Sequence, residues 1–332
     1  MSGIAAAIFG CSGPKLSQAE AKFFAAAQPW GFILFVRNVE TPDQLRQLTD
    51  DLRAAVGRDA PILIDQEGGR VQRLRAPYWR EWLPPLDQIN QTSDPERAMY
   101  IRARVISDEL RDVGIDVNCA PLADLTFPQT HPFLRNRTYG GDPDTVIRLA
   151  RATADGHLAG GVIPVLKHIP GHGRSLPDSH LDLPIIETSA EELIATDFAP
   201  FKALNDLPLG MTGHLIFTAF DKVNPCTVSP KMISVIRRDI GFTGLLMTDD
   251  ISMQALDGDV ATRSAKSIDA GCDLVLHCNG DAAEMHQIFD VCGHLGANQI
   301  KTGKAALTRR AAVDDADIPA LMAELNSLMN GL

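Results

Sequence analysis

Residues 162–168 read VIPVLKH, an apolar run that ends in a lysine and a histidine. A short apolar run without polar alternation suits a parallel strand covered on both faces. The same design recurs as GIAAAIF (3–9), GFILF (31–35), PILID (61–65), VNCAPLAD (117–124), PLGMTGH (208–214), GLLMTDD (244–250) and CDLVLHC (272–278). Helical patterns lie between these runs, and their start signals repeat. Thr41-Pro42, Asp94-Pro95, Asp142-Pro143 and Ser229-Pro230 each set a capping side chain before a proline at the first helical position. Ser17 with Glu20, and Ser189 with Glu192, have capping-box spacing. Gly57, Gly114, Gly160, Gly241 and Gly271 stand where each helical pattern stops and a left-handed residue is expected. Strands and helices alternating in this way predict a single-domain α/β protein, a (β/α)8 TIM barrel over about 1–300 with an extra C-terminal helix over about 302–332. A doubly wound open sheet is the structural alternative, and the lack of a Gly-rich dinucleotide fingerprint after the first strand weakens it.

Bulk properties narrow the function. The 332 residues carry a net charge of -11, which argues against a nucleic-acid partner, because phosphate contacts need clustered Lys and Arg. Six cysteines are scattered without zinc-type CxxC spacing, as expected of free thiols in a reducing compartment. The start MSGIAAAIFGCSG lacks the positive charge and the apolar length of an export signal, and no stretch approaches the ~20 apolar residues of a membrane span. The expectation is a cytoplasmic protein without a membrane partner.

Polar residues collect at the ends of the predicted strands: Asp65, Asp124, Lys167 with His168, His214, Asp249 with Asp250, and His277 near Asn279. In a barrel these ends open on the face where active sites form. Burying so many unpaired polar groups for structure alone would be costly, so a polar active site is the better account. Three connections, roughly 70–93, 124–141 and 169–188, are long enough to build its walls.

The motifs DQEGGRVQR (65–73), KHIPGHG (167–173), DSH (178–180) and TDDISM (248–253) together resemble those of family 3 glycoside hydrolases, in particular the single-domain bacterial β-N-acetylglucosaminidases. The resemblance runs in register from the first strand to AGCDLVLHCNG near residue 280. It implies removal of a terminal β-linked N-acetylglucosamine with retention, on a barrel of this kind, with no cofactor and no metal. For the cytoplasmic branch it implies 1,6-anhydro-N-acetylmuramyl peptides as the aglycone, in peptidoglycan recycling, by a protein taken as a monomer.

The resemblance also assigns roles. Asp249 is the expected nucleophile, with Asp250 the competing acid, since neighbouring strand residues point to opposite sides. His180 is the expected proton donor and acceptor, and Asp178 its orienting partner, as the acid of a Ser-His-Asp set orients its histidine. GRSLPDSH is rich in turn-formers, and the expectation is a loop that carries His180 over the sugar. Asp65, Arg73, Arg137, Lys167 and His168 are the implied sugar contacts, with Arg135 close enough to compete with Arg137. His172 reads as loop support, His214 as either a mouth residue or a satisfied core histidine, and Trp79 and Trp82 as either a stacking platform or rim packing. A metal-dependent amidohydrolase would need three or four convergent ligands. A phosphorylase of the same family differs only in using phosphate for water.

Overall fold

The computed structural model describes residues 3–175 and 183–330. Eight parallel strands close a barrel in chain order: β1 (Ala5–Gly10), β2 (Pro29–Leu34), β3 (Ile62–Ile64), β4 (Val117–Asn118), β5 (Ile163–Ile169), β6 (Leu209–Thr212), β7 (Leu245–Asp250) and β8 (Leu274–His277). Closure is by β1 on β8, with Ala7 opposite Val275 and Phe9 opposite His277. Alternate residues of each strand serve two cores. Ala6, Ile8, Leu63, Val165, Met211 and Met247 fill the barrel interior, while Ala5, Ala7, Phe9, Phe32 and Ile64 pack outward against the helices. This double burial is why the strands read as unbroken apolar runs.

The predicted N-terminal capping side chains all engage. Thr41, Asp94, Asp142 and Ser229 each accept a backbone N–H from the first turn of their helix. Ser17 and Glu20 complete a capping box. Ser189 caps its helix too, but Glu192 reaches out to Arg174 instead. Gly160 departs from the expected left-handed stop: its φ is -83°, and Gly161 takes φ 69°. Gly160 is needed for space, because a Cβ there would collide with Ser107 on the neighbouring helix Pro95–Asp112.

Two predicted boundaries move. Regular pairing of the run 117–124 stops at Asn118, since Pro121 has no N–H for a ladder; the remaining residues continue beside β5, with the Ala123 N–H donating to the Lys167 carbonyl at 2.9 Å. The C-terminal extension begins earlier than 302, with helix Ala297–Thr308, and ends in helix Ile318–Asn330 packed on Pro95–Asp112. A two-stranded parallel sheet, Ile185–Ile186 with Ile216–Phe217, ties the loops after β5 and β6. Among the described residues no helix is long and apolar enough to cross a membrane.

Candidate active site

The C-terminal ends of β3, β5 and β7 and the long connections around them enclose a cavity of about 310 Å³. Asp65, Arg73, Arg137, Lys167, His168 and Asp249 all line it. Asp178 and His180 lie outside the described residues. Arg135 turns away, donating to the Pro128 and Thr130 carbonyls, so Arg137 is the arginine of that segment at the cavity.

The charged residues form an alternating ladder. Arg73 donates to Asp65 Oδ2 at 3.1 Å, and Lys167 Nζ donates to Asp65 Oδ1 at 2.9 Å. The same ammonium contacts Glu67 Oε1 at 2.7 Å. Arg137 closes the ladder with two parallel bonds to Glu67, at 2.9 Å from Nε and 2.8 Å from Nη2. Burial alone would raise both carboxyl groups. The adjacent cations win: Lys167 and Arg73 hold Asp65 far below its ordinary range, and Arg137 and Lys167 hold Glu67 at about 2. Lys167 is 2% exposed, and burial would lower it, but Asp65 and Glu67 keep it well above the usual lysine value.

His168 is fixed from behind. Its Nδ1 lies 2.8 Å from Asp124 Oδ2, and an ionised carboxylate only accepts, so Nδ1 carries the proton and Nε2 remains for a ligand. Asp124 also accepts the His172 backbone N–H at 2.7 Å, and with His168 this keeps its buried carboxyl below the normal range. His172 lines the cavity as a neutral ring, pushed down to about 4 by burial and by His168. Its Nδ1 has no hydrogen-bond partner among the described residues. The expected loop support therefore comes from its backbone.

The two acids of β7 divide cleanly. Asp249 faces the cavity, with Oδ1 accepting the Asp250 N–H at 2.8 Å. Burial raises its carboxyl, but His168, His214 and that N–H bring it below the ordinary value, so it is a carboxylate at neutral pH. Asp250 is spent on structure: its oxygens take the Ser252 N–H and hydroxyl and the Cys278 N–H. His214 is a satisfied core histidine, bridging the Thr227 hydroxyl at 2.7 Å and the Asp250 carbonyl at 3.0 Å. His277 and Asn279 both turn to Glu284. Trp79 and Trp82 are buried in the outer core and offer no stacking platform.

Sequence reasoning passed over Glu67, although it lies two residues beyond Asp65 in DQEGGR, and over Phe133. The guanidinium carbons of Arg70 and Arg137 lie 3.7 and 5.2 Å from the centroid of that ring, which forms an apolar section of wall. Among the described residues no group of three or more His, Cys, Asp or Glu is placed to hold a metal ion.

A barrel whose mouth gathers an ionised carboxylate, a polar sugar-sized cavity and a fixed imidazole is the kind of site used by glycoside hydrolases. Residues 5–310 match the glycosyl hydrolase family 3 N-terminal domain. A β-hexosaminidase from Methylococcus capsulatus is 34% identical over 311 residues, covering 92% of this chain and 90% of that protein. One from Alkalilimnicola ehrlichii is 36% identical over 280 residues, covering 82% and 80%. The structure of NagZ from Neisseria gonorrhoeae in complex with N-trifluoroacetyl-D-glucosamine superposes with a TM-score of 0.86 at 29% identity, covering 99% of both chains. The chain belongs to glycoside hydrolase family 3, and within it to the β-N-acetylhexosaminidases.

Proposed function

We propose that the protein is a retaining exo-β-N-acetylglucosaminidase with Asp249 as nucleophile and His180 as acid and base. The observation that carries this reading is the placement of Asp249: ionised, anchored by a backbone N–H, and facing the same cavity as Asp65, Lys167 and His168. Its oxygen bonds to the anomeric carbon as the glycosidic bond breaks, and His180 gives its proton to the leaving oxygen. Water then attacks the glycosyl-aspartate, His180 takes the water's proton, and the Asp249 carboxylate is released. Asp178 holds the His180 ring and stabilises its charged form. Asp65, Arg73, Arg137, Lys167 and His168 hold the sugar's oxygens, the carboxylate accepting and the cations donating.

The likeness to a structure holding N-trifluoroacetyl-D-glucosamine supports an N-acetylglucosamine-type sugar. The natural substrate in this reading is N-acetylglucosaminyl-1,6-anhydro-N-acetylmuramyl peptide, handled by a monomer during peptidoglycan recycling. Six cysteines present as free thiols, five of them buried, are in keeping with the cytoplasm.

The test compares an aryl β-N-acetylglucosaminide with the matching β-glucoside, in wild type and Asp249→Ala. We expect preference for the N-acetyl sugar, and a loss of roughly 10⁴-fold in kcat for the variant, the scale on which removing one member of a catalytic set acts. Equal activity of Asp249→Ala would remove it from its role, and preference for the glucoside would overturn the specificity. In phosphate buffer the product should be the free sugar; its 1-phosphate would make the enzyme a phosphorylase.

A further inference from the structure

We propose that Glu67 is a positioning residue for sugar binding: from behind the cavity wall it sets Lys167 and Arg137, and it never touches substrate. The inference rests on the reading that these two cations hold the sugar. Glu67 is 1% exposed at its side chain and lies behind both. Lys167 Nζ has three hydrogens. Asp65 Oδ1 accepts one of them at 2.9 Å, and Glu67 Oε1 holds the ammonium as an ion pair at 2.7 Å, so the two carboxylates together fix where Nζ sits beside the cavity. Arg137 gives Nε and one Nη2 hydrogen to Glu67 and keeps the far edge of its guanidinium for the cavity. One carboxylate therefore aims two cations from different elements, Lys167 on strand β5 and Arg137 on the loop after β4, 30 residues apart in sequence.

Glu67 is itself held at both backbone atoms. Its N–H donates to the Val71 carbonyl at 2.9 Å. Its carbonyl accepts from Arg102 Nη2 at 2.5 Å. Arg102 is a fully buried arginine of the helix Pro95–Asp112, and it also donates to the Leu83 carbonyl at 2.6 Å and to the Gln88 amide oxygen. Gly68, at φ 108°, passes so close that any Cβ would strike Arg102 Nη2. Within EGG, then, the acid is the hub and the first glycine gives the arginine room to lock it. Arg102 thereby fixes the backbone from which the Glu67 side chain reaches both cations.

Glu67→Gln and Glu67→Asp test this, beside Lys167→Met and Arg137→Met, with kcat, KM and pH profiles on an aryl β-N-acetylglucosaminide and thermal midpoints for all. Glu67→Gln keeps the shape but cannot satisfy both cations; kcat/KM should fall by about 10²-fold, the cost of misplacing a bound group by an ångström. The Lys167 ammonium faces Asp65 and Glu67 on the β3 side, Cys119 after β4, Arg137 on the following loop and Asp249 on β7. Removing one of its anions should move the upper alkaline limb of kcat/KM, where Lys167 loses its proton beyond the step set by the His180 acid, to lower pH. Glu67→Asp keeps the charge on a shorter arm, so it should restore that limb while kcat/KM stays about tenfold down through KM. A folded Glu67→Gln enzyme with wild-type kcat/KM and an unmoved limb overturns the proposal. If Glu67→Gln does not fold, wild-type kinetics in Glu67→Asp overturn it and the KM-borne loss supports it. Wild-type activity in both Lys167→Met and Arg137→Met would sink the sugar-holding assignment, and with it this one. Loss in those two beside full activity in the Glu67 variants sinks the role of Glu67 alone.

Discussion

At the N-terminal end of the barrel, Asp116 accepts the Ile62 N–H at 2.7 Å on one oxygen and the guanidinium groups of Arg53 and Arg310 on the other. At the opposite end, Asp65 and Glu67 take Arg73, Lys167 and Arg137. Both clusters border hollows of comparable size, about 310 Å³ at the mouth and about 380 Å³ at the N-terminal end. Size therefore does not separate site from scaffold; the chemistry gathered around each hollow does. Asp116 joins the starts of β3 and β4 to the segment Arg309–Ala311, and Arg53 and Arg310 complete their contacts on Asp59 and nearby carbonyls. At the opposite end Asp65, Arg73, Lys167 and Arg137 line the cavity at the barrel mouth, beside His168 and Asp249. One end stabilises the barrel, and the other is held ready for a ligand.

The sharpest way to break this contrast is to delete one charge at each end. Lys167→Met leaves Asp65 and Glu67 short of a cation. It should destabilise by about 3 kcal/mol, as removal of one partner from a buried pair does, and should cut kcat/KM by ~10²-fold or more. Asp116→Asn should cost about 2 kcal/mol, the worth of hydrogen bonds to a charged group, while kcat/KM keeps its wild-type value. Denaturant midpoints and steady-state kinetics on the same preparations decide it. An inactive but stable Asp116→Asn would erase the division between the two ends.

Acid gives a second, smaller contrast. Glu67 has its folded-state pKa lowered from 4.5 to about 2, and Asp65 shifts in the same direction. A depressed carboxyl contributes stability that is fully present above the unfolded value and is lost as pH falls through the folded one. The contribution of Glu67 should therefore disappear between about pH 4.5 and 2. Urea midpoints across that range should fall more steeply for wild type than for Glu67→Gln. Parallel curves would mean that Glu67 does not carry this linkage.

The barrel was legible because its signals are local. An apolar run, a cap and a glycine stop each lie within a few neighbouring residues, and Thr41, Asp94, Asp142 and Ser229 all cap as read. Gly160 shows the boundary: a glycine reads the same whether it supplies a positive φ or room for Ser107. Much of the site was legible by motif, since Asp65, Arg73, Arg137, Lys167, His168 and Asp249 meet at one cavity. What strand alternation left open between Asp249 and Asp250 was decided by Ser252 and Cys278, one a neighbour and one on another strand's end. Glu67 and Arg102 stayed hidden because their meaning lies in partners far along the chain: Arg137 is 70 positions from Glu67, and Arg102 is 35. Asp124 was visible as a strand-end acid, but its task of fixing the His168 tautomer is a contact across 44 residues.

The smallest expected effect separates burial from mere ion pairing. Arg97 and Glu324 join helix Pro95–Asp112 to helix Ile318–Asn330 by two bonds, at 2.7 and 2.8 Å, a geometry as good as that of Arg137 on Glu67. Their side chains are 40% and 41% exposed, against 8% and 1% for the cavity pair. Water already solvates the exposed pair, so Glu324→Gln should cost only about 0.5 kcal/mol. That cost should shrink at ~1 M salt, where the screening length falls to ~3 Å. Kinetics should not change, because the pair touches neither the cavity nor the Glu67 network. Denaturant midpoints at low and high salt check both points. A loss as large as that of a Glu67 variant would mean that the C-terminal helix, through the shared helix Pro95–Asp112 that carries Arg102, takes part in holding the site.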